Sequence, residues 1–145
     1  MKYDSTLPVN DKIPTKEECV DDEAYYKLFG DAFRRNSVWS KKHPFLDPED
    51  DVKKCPLLGD NDTPEKELNA FYKFWTNFDS WRCFDHFAKN SHEMIKQAGD
   101  RYQRRRMEAD NATEIKIHSK KEHNRMIKLV EDARALDPRL RRIAE

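Results

Sequence analysis

The strongest hydrophobic pattern in the chain is a cluster of six large aromatic side chains between residues 71 and 81. Apolar residues in and just before this cluster recur at i, i+3, i+4 and i+7, the spacing of one helical face. Thr63, Pro64 and Glu65 supply a capping hydroxyl, a first-position proline and a first-turn carboxylate. The pattern therefore predicts a helix beginning at Pro64, with a buried face formed by Leu68, Phe71, Tyr72 and Trp75.

Shorter patterns on both sides predict helices that pack on this cluster. One helix begins at Asp21 or Asp22 and is expected to kink or break at Gly30. Another begins at Asp79 or Ser80 and ends at about residue 99. The inward-facing aromatic residues are predicted to be Tyr25, Tyr26 and Phe29 in the first helix, with Phe33 as a further candidate, and Trp81 and Phe84 in the second.

The remaining N-terminal segments contain the turn-forming residues of loops. Residues 1–20 are expected to form an extended arm or linker. Residues 40–62 hold three prolines and the acidic run Asp47–Asp51, and predict a loop that wraps the compact helical core at 21–99.

The C-terminal part predicts one long, charged helix. Asp100 can cap a helix over residues 100–136, a stretch without Pro or Gly, and its second half has a continuous apolar stripe from Met126 to Leu136. Asp137 and Pro138 then restart a helix over 137–145. This helix has barely begun at residue 145, so we expect the chain to be a fragment of a longer protein. The predicted fold class is all-α, a small aromatic core with an extended arm and a long charged helix.

Composition favours a small core and much solvated helix, because 39% of the 145 residues are charged and 37% are apolar. Net charge is zero, yet residues 96–145 carry +5 and the preceding part carries −5. Such opposed halves suggest that the C-terminal half meets an anionic partner, or that the two halves face each other.

Neither catalysis nor a cofactor is predicted. The chain has no GxSxG, Gly-rich phosphate loop or HExxH motif, so we expect it not to be an enzyme. Cys19, Cys55 and Cys83 are far apart without a CxxC pair, which disfavours a disulfide framework and a zinc site and favours a reducing compartment. Histidine spacings of six and five do not match a metal pair on one helical face. No apolar stretch is long enough for a membrane span.

Basic residues of the long helix are the best candidates for function, because such side chains neutralise phosphates. Lys121, Arg125 and Lys128 fall in a narrow wedge opposite the apolar stripe. A solvated helix of mixed charge is an equally good interpretation, since four acidic residues interrupt the series. The candidate binding residues are Arg101, Arg104, Arg105, Arg106, Lys116, Lys120, Lys121, Arg125 and Lys128.

Several ordered landmarks resemble the zuotin family of ribosome-associated J-proteins. The string FYKFWTNFDSWR at 71–82 is similar to that family's FYxFWxNFDSWR, and residues 33–40 are similar to its FxRNxxWS. Residues 56–60 look like its PxLGD, and residues 137–140 look like its DPRI. This resemblance spans nearly the whole chain.

The resemblance implies a ribosome-binding domain of a J-protein co-chaperone. In that family the domain attaches to the large ribosomal subunit near the polypeptide tunnel exit through positive charge on this helix. Arg104 and Arg105 align with a basic pair of the family, whereas residues 109–114 are less basic than in relatives. The segment His43–Phe45 lacks the His-Pro-Asp of a J-domain, so the chain should not stimulate a heat-shock ATPase by itself.

The implied partners are ribosomal RNA, a ribosomal protein beside the tunnel exit, and a heat-shock chaperone bound through regions outside this chain. The implied location is the cytoplasm, in association with ribosomes, with the nucleus as a second location; no membrane partner is expected. Two other hypotheses remain open at this stage. The chain could be a structural spacer or protein-interaction scaffold with internally neutralised charge, or a chromatin-associated module that binds DNA or other RNA.

Overall fold

The computed structural model describes residues 10–41 and 55–144, and the predicted all-α class is confirmed there. These residues form five α-helices and a short 3-10 turn at Asp85–Phe87. Predictions for the acidic run Asp47–Asp51, for His43–Phe45 and for residues 1–9 of the arm lie outside the described residues. The helices are α1 (Asp22–Ser37), α2 (Glu65–Thr76), α3 (His92–Lys96), α4 (Arg101–Leu136) and α5 (Pro138–Ala144).

The chain divides into two compact units, and one division falls within α4. Of the described residues, the core unit comprises 10–41, 55–81 and 126–144. The second unit comprises residues 82–125 and is called the 82–125 unit below.

The core unit is built on the aromatic cluster that the sequence pattern predicts. All four residues of the predicted α2 face are buried. Phe33 of α1 packs edge-on against Phe71 at 4.8 Å between ring centroids, and Trp75 stacks on Phe78 at 4.7 Å. The end of α4 completes this core with Met126, Leu129, Val130 and Ala133.

Helix α1 continues through Gly30, so the predicted kink or break there is wrong. Asp21 caps the helix by accepting a hydrogen bond from the Ala24 amide at 2.7 Å. Aromatic residues before and after Gly30, including Phe29 and Phe33, are fully buried. Their burial holds the helix together across a residue that costs about 1 kcal/mol relative to alanine.

Helix α2 begins at Glu65, one residue later than predicted, and Thr63 does not cap it. The Thr63 hydroxyl instead accepts a hydrogen bond from the Asp60 amide at 3.0 Å and closes the preceding turn. Gly59 in that turn has a φ of 78°, and a Cβ there would lie 2.3 Å from Thr63 Oγ1. The turn therefore requires glycine.

A buried polar network ties this turn to α5. Arg139 Nη1 donates to the carbonyl oxygens of Leu58 and Asp60 at 2.7 and 3.1 Å. The Tyr72 hydroxyl donates to Asp137 Oδ2 at 2.6 Å. Two of the sequence landmarks, at 56–60 and 137–140, thus meet in the interior of the core unit.

The predicted helix from Ser80 to about residue 99 is wrong. Ser80 instead forms an isolated antiparallel bridge with Ser40, and α3 is a short helix capped by the Ser91 hydroxyl. Asn90 interrupts the predicted helix because its backbone bonds to Asn111 of α4. The Asn90 backbone amide donates to Asn111 Oδ1, and Asn111 Nδ2 donates to the Asn90 carbonyl oxygen, both at 2.9 Å. Asparagine side chains compete with helix in this way.

Candidate nucleic-acid interface

Helix α4 begins with a dense group of arginines where a helix normally prefers acids. Asp100 caps it by accepting a hydrogen bond from the Gln103 amide at 2.7 Å. The first turn contains no acidic residue, while Arg101 and Arg104 lie in it and are exposed. Positive charge at a helix N-terminus opposes the helix dipole, so these arginines do not stabilise the helix.

The side of α4 that packs within the 82–125 unit is set by aromatic and amide contacts. The Phe87 ring stacks on His118 at 4.0 Å between centroids, with an interplanar angle of 15°. Asn90 Nδ2 donates to the Met107 carbonyl at 3.1 Å, next to the Asn111 contact described above. Met107, Asn111 and His118 thus mark the packed side of this helix.

The opposite side of α4 in this unit is an exposed surface without acidic residues. Successive residues of an α-helix are about 100° apart around its axis. Among α4 residues 101–125, those within about 60° of Tyr102 include no acidic residue. Asp110 lies about 80° away, at the margin. We call this surface the outward face; it consists of Tyr102, Arg105, Arg106, Ala109, Thr113, Lys116, Ile117, Lys120, His123 and Asn124, all of them exposed.

Two of the acids that interrupt the basic series in the sequence are held on the packed side. Glu114 Oε1 lies 3.4 Å from His118 Nε2. Glu122 accepts hydrogen bonds from Arg125 Nε and Nη2 at 2.9 and 2.6 Å and from Arg82 Nη1 at 3.2 Å. The side chains of this three-residue ion cluster are only 10% to 14% exposed. Their carboxylates therefore do not face the same way as the outward lysines and arginines.

The structure places the predicted binding residues in different surroundings. Arg101, Arg104 and Lys121 are exposed, but lie about 100° or more from Tyr102 around the helix. Arg125 belongs to the ion cluster with Glu122. Lys128 lies in the core unit, where it pairs with Asp132 at 3.0 Å. The four that lie on the outward face are Arg105, Arg106, Lys116 and Lys120.

These outward-facing basic residues take no part in an ion pair within residues 10–41 and 55–144. The wedge of Lys121, Arg125 and Lys128 is predicted as the side opposite the apolar stripe at the C-terminal end of α4. That stripe marks the side of α4 that packs in the core unit, whereas other residues mark the side that packs in the 82–125 unit. The sequence signal for the outward face is the shared side of Met107, Asn111 and His118, because Tyr102 lies on the opposite side of the helix.

Arg139 is also basic in the family pattern, and the structure places it inside the core unit. It is 3% exposed and is held by Asp137. Burial by itself lowers the pKa of its guanidinium, but the hydrogen bond and the charge of Asp137 more than offset that effect and raise the pKa above its usual range. Arg139 therefore stabilises the core and is not displayed to a partner.

Metal-binding and membrane-spanning features do not occur in the part of the chain that the structure describes. No group of three His, Cys, Asp or Glu side chains there could hold a metal ion. None of its helices is both long and apolar enough to cross a membrane.

Comparisons with known proteins match almost all of the chain. Residues 24–141 match the family model described as zuotin-like, zuotin homology domain. The chain is 35% identical to DnaJ homolog subfamily C member 2 of Bos taurus over 144 residues, which are 99% of this chain and 21% of that protein. It is 31% identical to Zuotin of Saccharomyces cerevisiae over 144 residues, 99% of this chain and 30% of that protein. The chain thus spans less than a third of the length of these relatives.

Proposed function

The chain belongs to the zuotin homology domain family, and from that premise we propose that it is the ribosome-binding domain of a zuotin-like J-protein co-chaperone. In this proposal the outward face of α4 docks on the large ribosomal subunit near the polypeptide tunnel exit. Docking there would hold a J-domain, carried elsewhere in the full-length protein, close to emerging nascent chains.

The observation that carries the proposal is the separation of charge around α4. Basic side chains of the outward face are exposed, while Glu114 and Glu122 are turned to the packed side. The two remaining acids, Glu108 and Asp110, are exposed but lie about 120° and 80° from Tyr102 around the helix, so the outward face itself carries no acidic residue. The internally neutralised scaffold describes the cluster of Arg82, Glu122 and Arg125 well, and the acidic run Asp47–Asp51, which that alternative would pair with α4, lies outside the described residues.

Ribosomal RNA is a suitable partner for this face because its phosphates form a dense array of negative charge. Arginine and lysine contacts to phosphates release counterions, so affinity falls steeply with salt. Arg105 and Lys116 are eleven residues apart, or about 16 Å along the helix, and can contact separate phosphates. Between Arg106 and Lys116 the outward face carries the small residues Ala109 and Thr113, which allow close approach to a surface.

The remaining partners belong to the full-length protein. A ribosomal protein beside the tunnel exit would share the docking site, and a heat-shock chaperone would be bound through regions outside this chain. The location that follows is the cytoplasm on ribosomes, with the nucleus as a second location. The domain itself carries no catalytic role in this proposal.

Co-sedimentation with purified ribosomes over a salt series tests the proposal. The variant Arg105→Glu/Lys116→Glu should bind at least tenfold more weakly at about 100 mM salt, with unchanged helical circular dichroism. The control Lys27→Glu/Lys66→Glu makes the same change in net charge at exposed positions of the core unit. It should bind nearly as well as the unmodified chain.

Two results would overturn the proposal: absence of ribosome binding even at about 50 mM salt, or equal weakening by both double variants. Binding to a naked RNA or DNA duplex as tight as binding to ribosomes, at matched salt, would favour the general nucleic-acid-binding module instead.

A further inference from the structure

The outward face of α4 contains one aromatic side chain, Tyr102, and it is unusually exposed. Its relative exposure is 77%, the largest of any aromatic residue in the described part of the chain. No other ring of the described residues lies against it. Burying a tyrosine ring normally contributes substantially to stability, so a ring left in water at this position contributes nothing to the fold.

The neighbours of Tyr102 are arginines. Around the helix, Arg105 lies about 60° to one side of Tyr102 and Arg106 about 40° to the other, each one turn further along α4. Arg101 precedes it by one residue. Each of these side chains is exposed, and within the described residues none is engaged in an ion pair. The ring is therefore flanked on both sides by guanidinium groups available to an anionic partner.

This combination matches a single-stranded nucleic-acid site. Proteins bind unpaired nucleotides by stacking bases on exposed aromatic rings, while adjacent basic residues hold the backbone phosphates. Protein-binding hot spots also use tyrosine and arginine, but there the aromatic anchor enters a well-packed, desolvated contact area. The nearest outward residues to Tyr102 are two arginines and Ala109, which do not form such an area.

We infer that Tyr102 stacks on an unpaired RNA base while Arg105 and Arg106 hold the phosphates on either side of it. The inference rests on the proposed ribosome binding and specifies its ligand, an RNA element with at least one unstacked nucleotide. Lys116 and Lys120, about 21 and 27 Å further along α4 than Tyr102, contact the RNA backbone independently of base pairing. Stacking and phosphate contact are then separable contributions from different residues.

The separation can be measured with two fluorescein-labelled RNA probes, a 12-nucleotide adenosine single strand and a 12-base-pair duplex. Replacing Tyr102 by alanine should lower affinity for the single strand by about 5- to 100-fold and leave affinity for the duplex unchanged. Tyr102→Phe and Tyr102→Trp should retain single-strand binding because both keep a π face. Arg105→Gln should weaken binding of both probes and reduce the salt dependence, whereas Tyr102→Ala should not alter the salt dependence.

A matched control is Ile127→Ala, which truncates another exposed apolar side chain of α4 outside the arginine group. It should bind both probes like the unmodified chain. Helical circular dichroism of Tyr102→Ala should be unchanged, since the ring is exposed and alanine is a better helix former.

Ribosome co-sedimentation distinguishes failure of this inference from failure of the proposed function. If the unmodified chain binds ribosomes and Tyr102→Ala binds them and the single strand equally well, stacking is wrong and the proposed function stands. If Tyr102→Ala loses ribosome binding but keeps single-strand binding, Tyr102 contacts a ribosomal protein and stacking is again wrong. If the unmodified chain does not bind ribosomes at all, the proposed function and this inference both fail.

Discussion

Asp137 holds the guanidinium of Arg139 through two parallel hydrogen bonds in the interior of the core unit. Arg139 Nε donates to Oδ1 and Nη2 donates to Oδ2, each at 3.0 Å, and the side chains are 0% and 3% exposed. Asp137 also accepts from the Arg139 amide at 2.9 Å, so the same carboxylate caps α5. A buried pair with this geometry is expensive to break from one side, because the remaining charge stays buried.

Replacing Asp137 by asparagine should therefore lower the free energy of unfolding by about 3–5 kcal/mol. Asparagine keeps the size and the capping oxygen but leaves Arg139 with an uncompensated charge. Urea denaturation followed by circular dichroism measures the loss. Asp132→Asn is the matched control, because it breaks an exposed pair with Lys128 and should cost about 0.5 kcal/mol. Equal effects of the two substitutions would contradict this account.

The tyrosines beside this pair predict a loss of stability at alkaline pH. Burial is the main reason why the pKa values of Tyr25 and Tyr72 lie well above the usual value for tyrosine. The nearby Tyr72 raises the pKa of Tyr25 further. The hydrogen bond to Asp137 raises the pKa of Tyr72 further. A raised pKa in the folded state means that the folded chain binds more protons than the unfolded chain above pH 10. The contribution of each tyrosine to the free energy of unfolding is therefore fully present below about pH 10. Above that pH it falls by about 1.4 kcal/mol per pH unit.

Tyr72→Phe tests the alkaline prediction, since it removes one of these protons. The variant should be about 1–3 kcal/mol less stable at pH 7, because it loses a hydrogen bond to a charged group. Its stability should then fall less steeply between pH 10 and pH 11 than that of the unmodified chain. A profile of Tyr72→Phe that is just as steep would disprove the assignment.

The ion cluster of the 82–125 unit should be structural. Glu122→Gln would remove the carboxylate charge that the guanidinium groups of Arg82 and Arg125 share, and these side chains have little access to water. We expect a loss of about 2–4 kcal/mol in the stability of this unit. Amide hydrogen exchange over residues 82–125 is the appropriate measurement, because it reports local opening. Unchanged protection there would show that the cluster contributes little.

The arginines in the first turn of α4 should not contribute to stability. Arg101→Gln and Arg104→Gln should leave the free energy of unfolding unchanged or raise it by about 0.3–1 kcal/mol each, since they remove positive charge from a helix N-terminus. Arg34→Gln is the opposite case, because Arg34 lies in the last turn of α1, where the dipole favours a cation, and also pairs with Asp31 at 2.8 Å. It should lower stability by a similar amount. A clear loss on neutralising Arg101 would indicate a structural role for it.

The sequence alone was sufficient for the parts of the fold whose signal is local. The α2 face was predicted from apolar spacing, and the start of α5 from Asp137 followed by Pro138. The prediction of a helix from Ser80 was wrong. Apolar spacing suggested a helix there, but Asn90 and Ser91 form hydrogen bonds that end the helical path of the backbone. Asn90 finds its partner in Asn111, 21 residues away, and no local pattern contains that pairing.

Which residues of α4 face outward was decided only by the tertiary structure. The sequence determined the family, the all-α class, the aromatic core and the basic character of this helix. Over residues 101–125, however, apolar residues are too few to mark a buried side. The contacts of Phe87 with His118 and of Asn90 with Asn111 fix the rotation of the helix. A charged helix can be solvated on any side, so only the segment that packs against it determines which of its charges remain available to a partner.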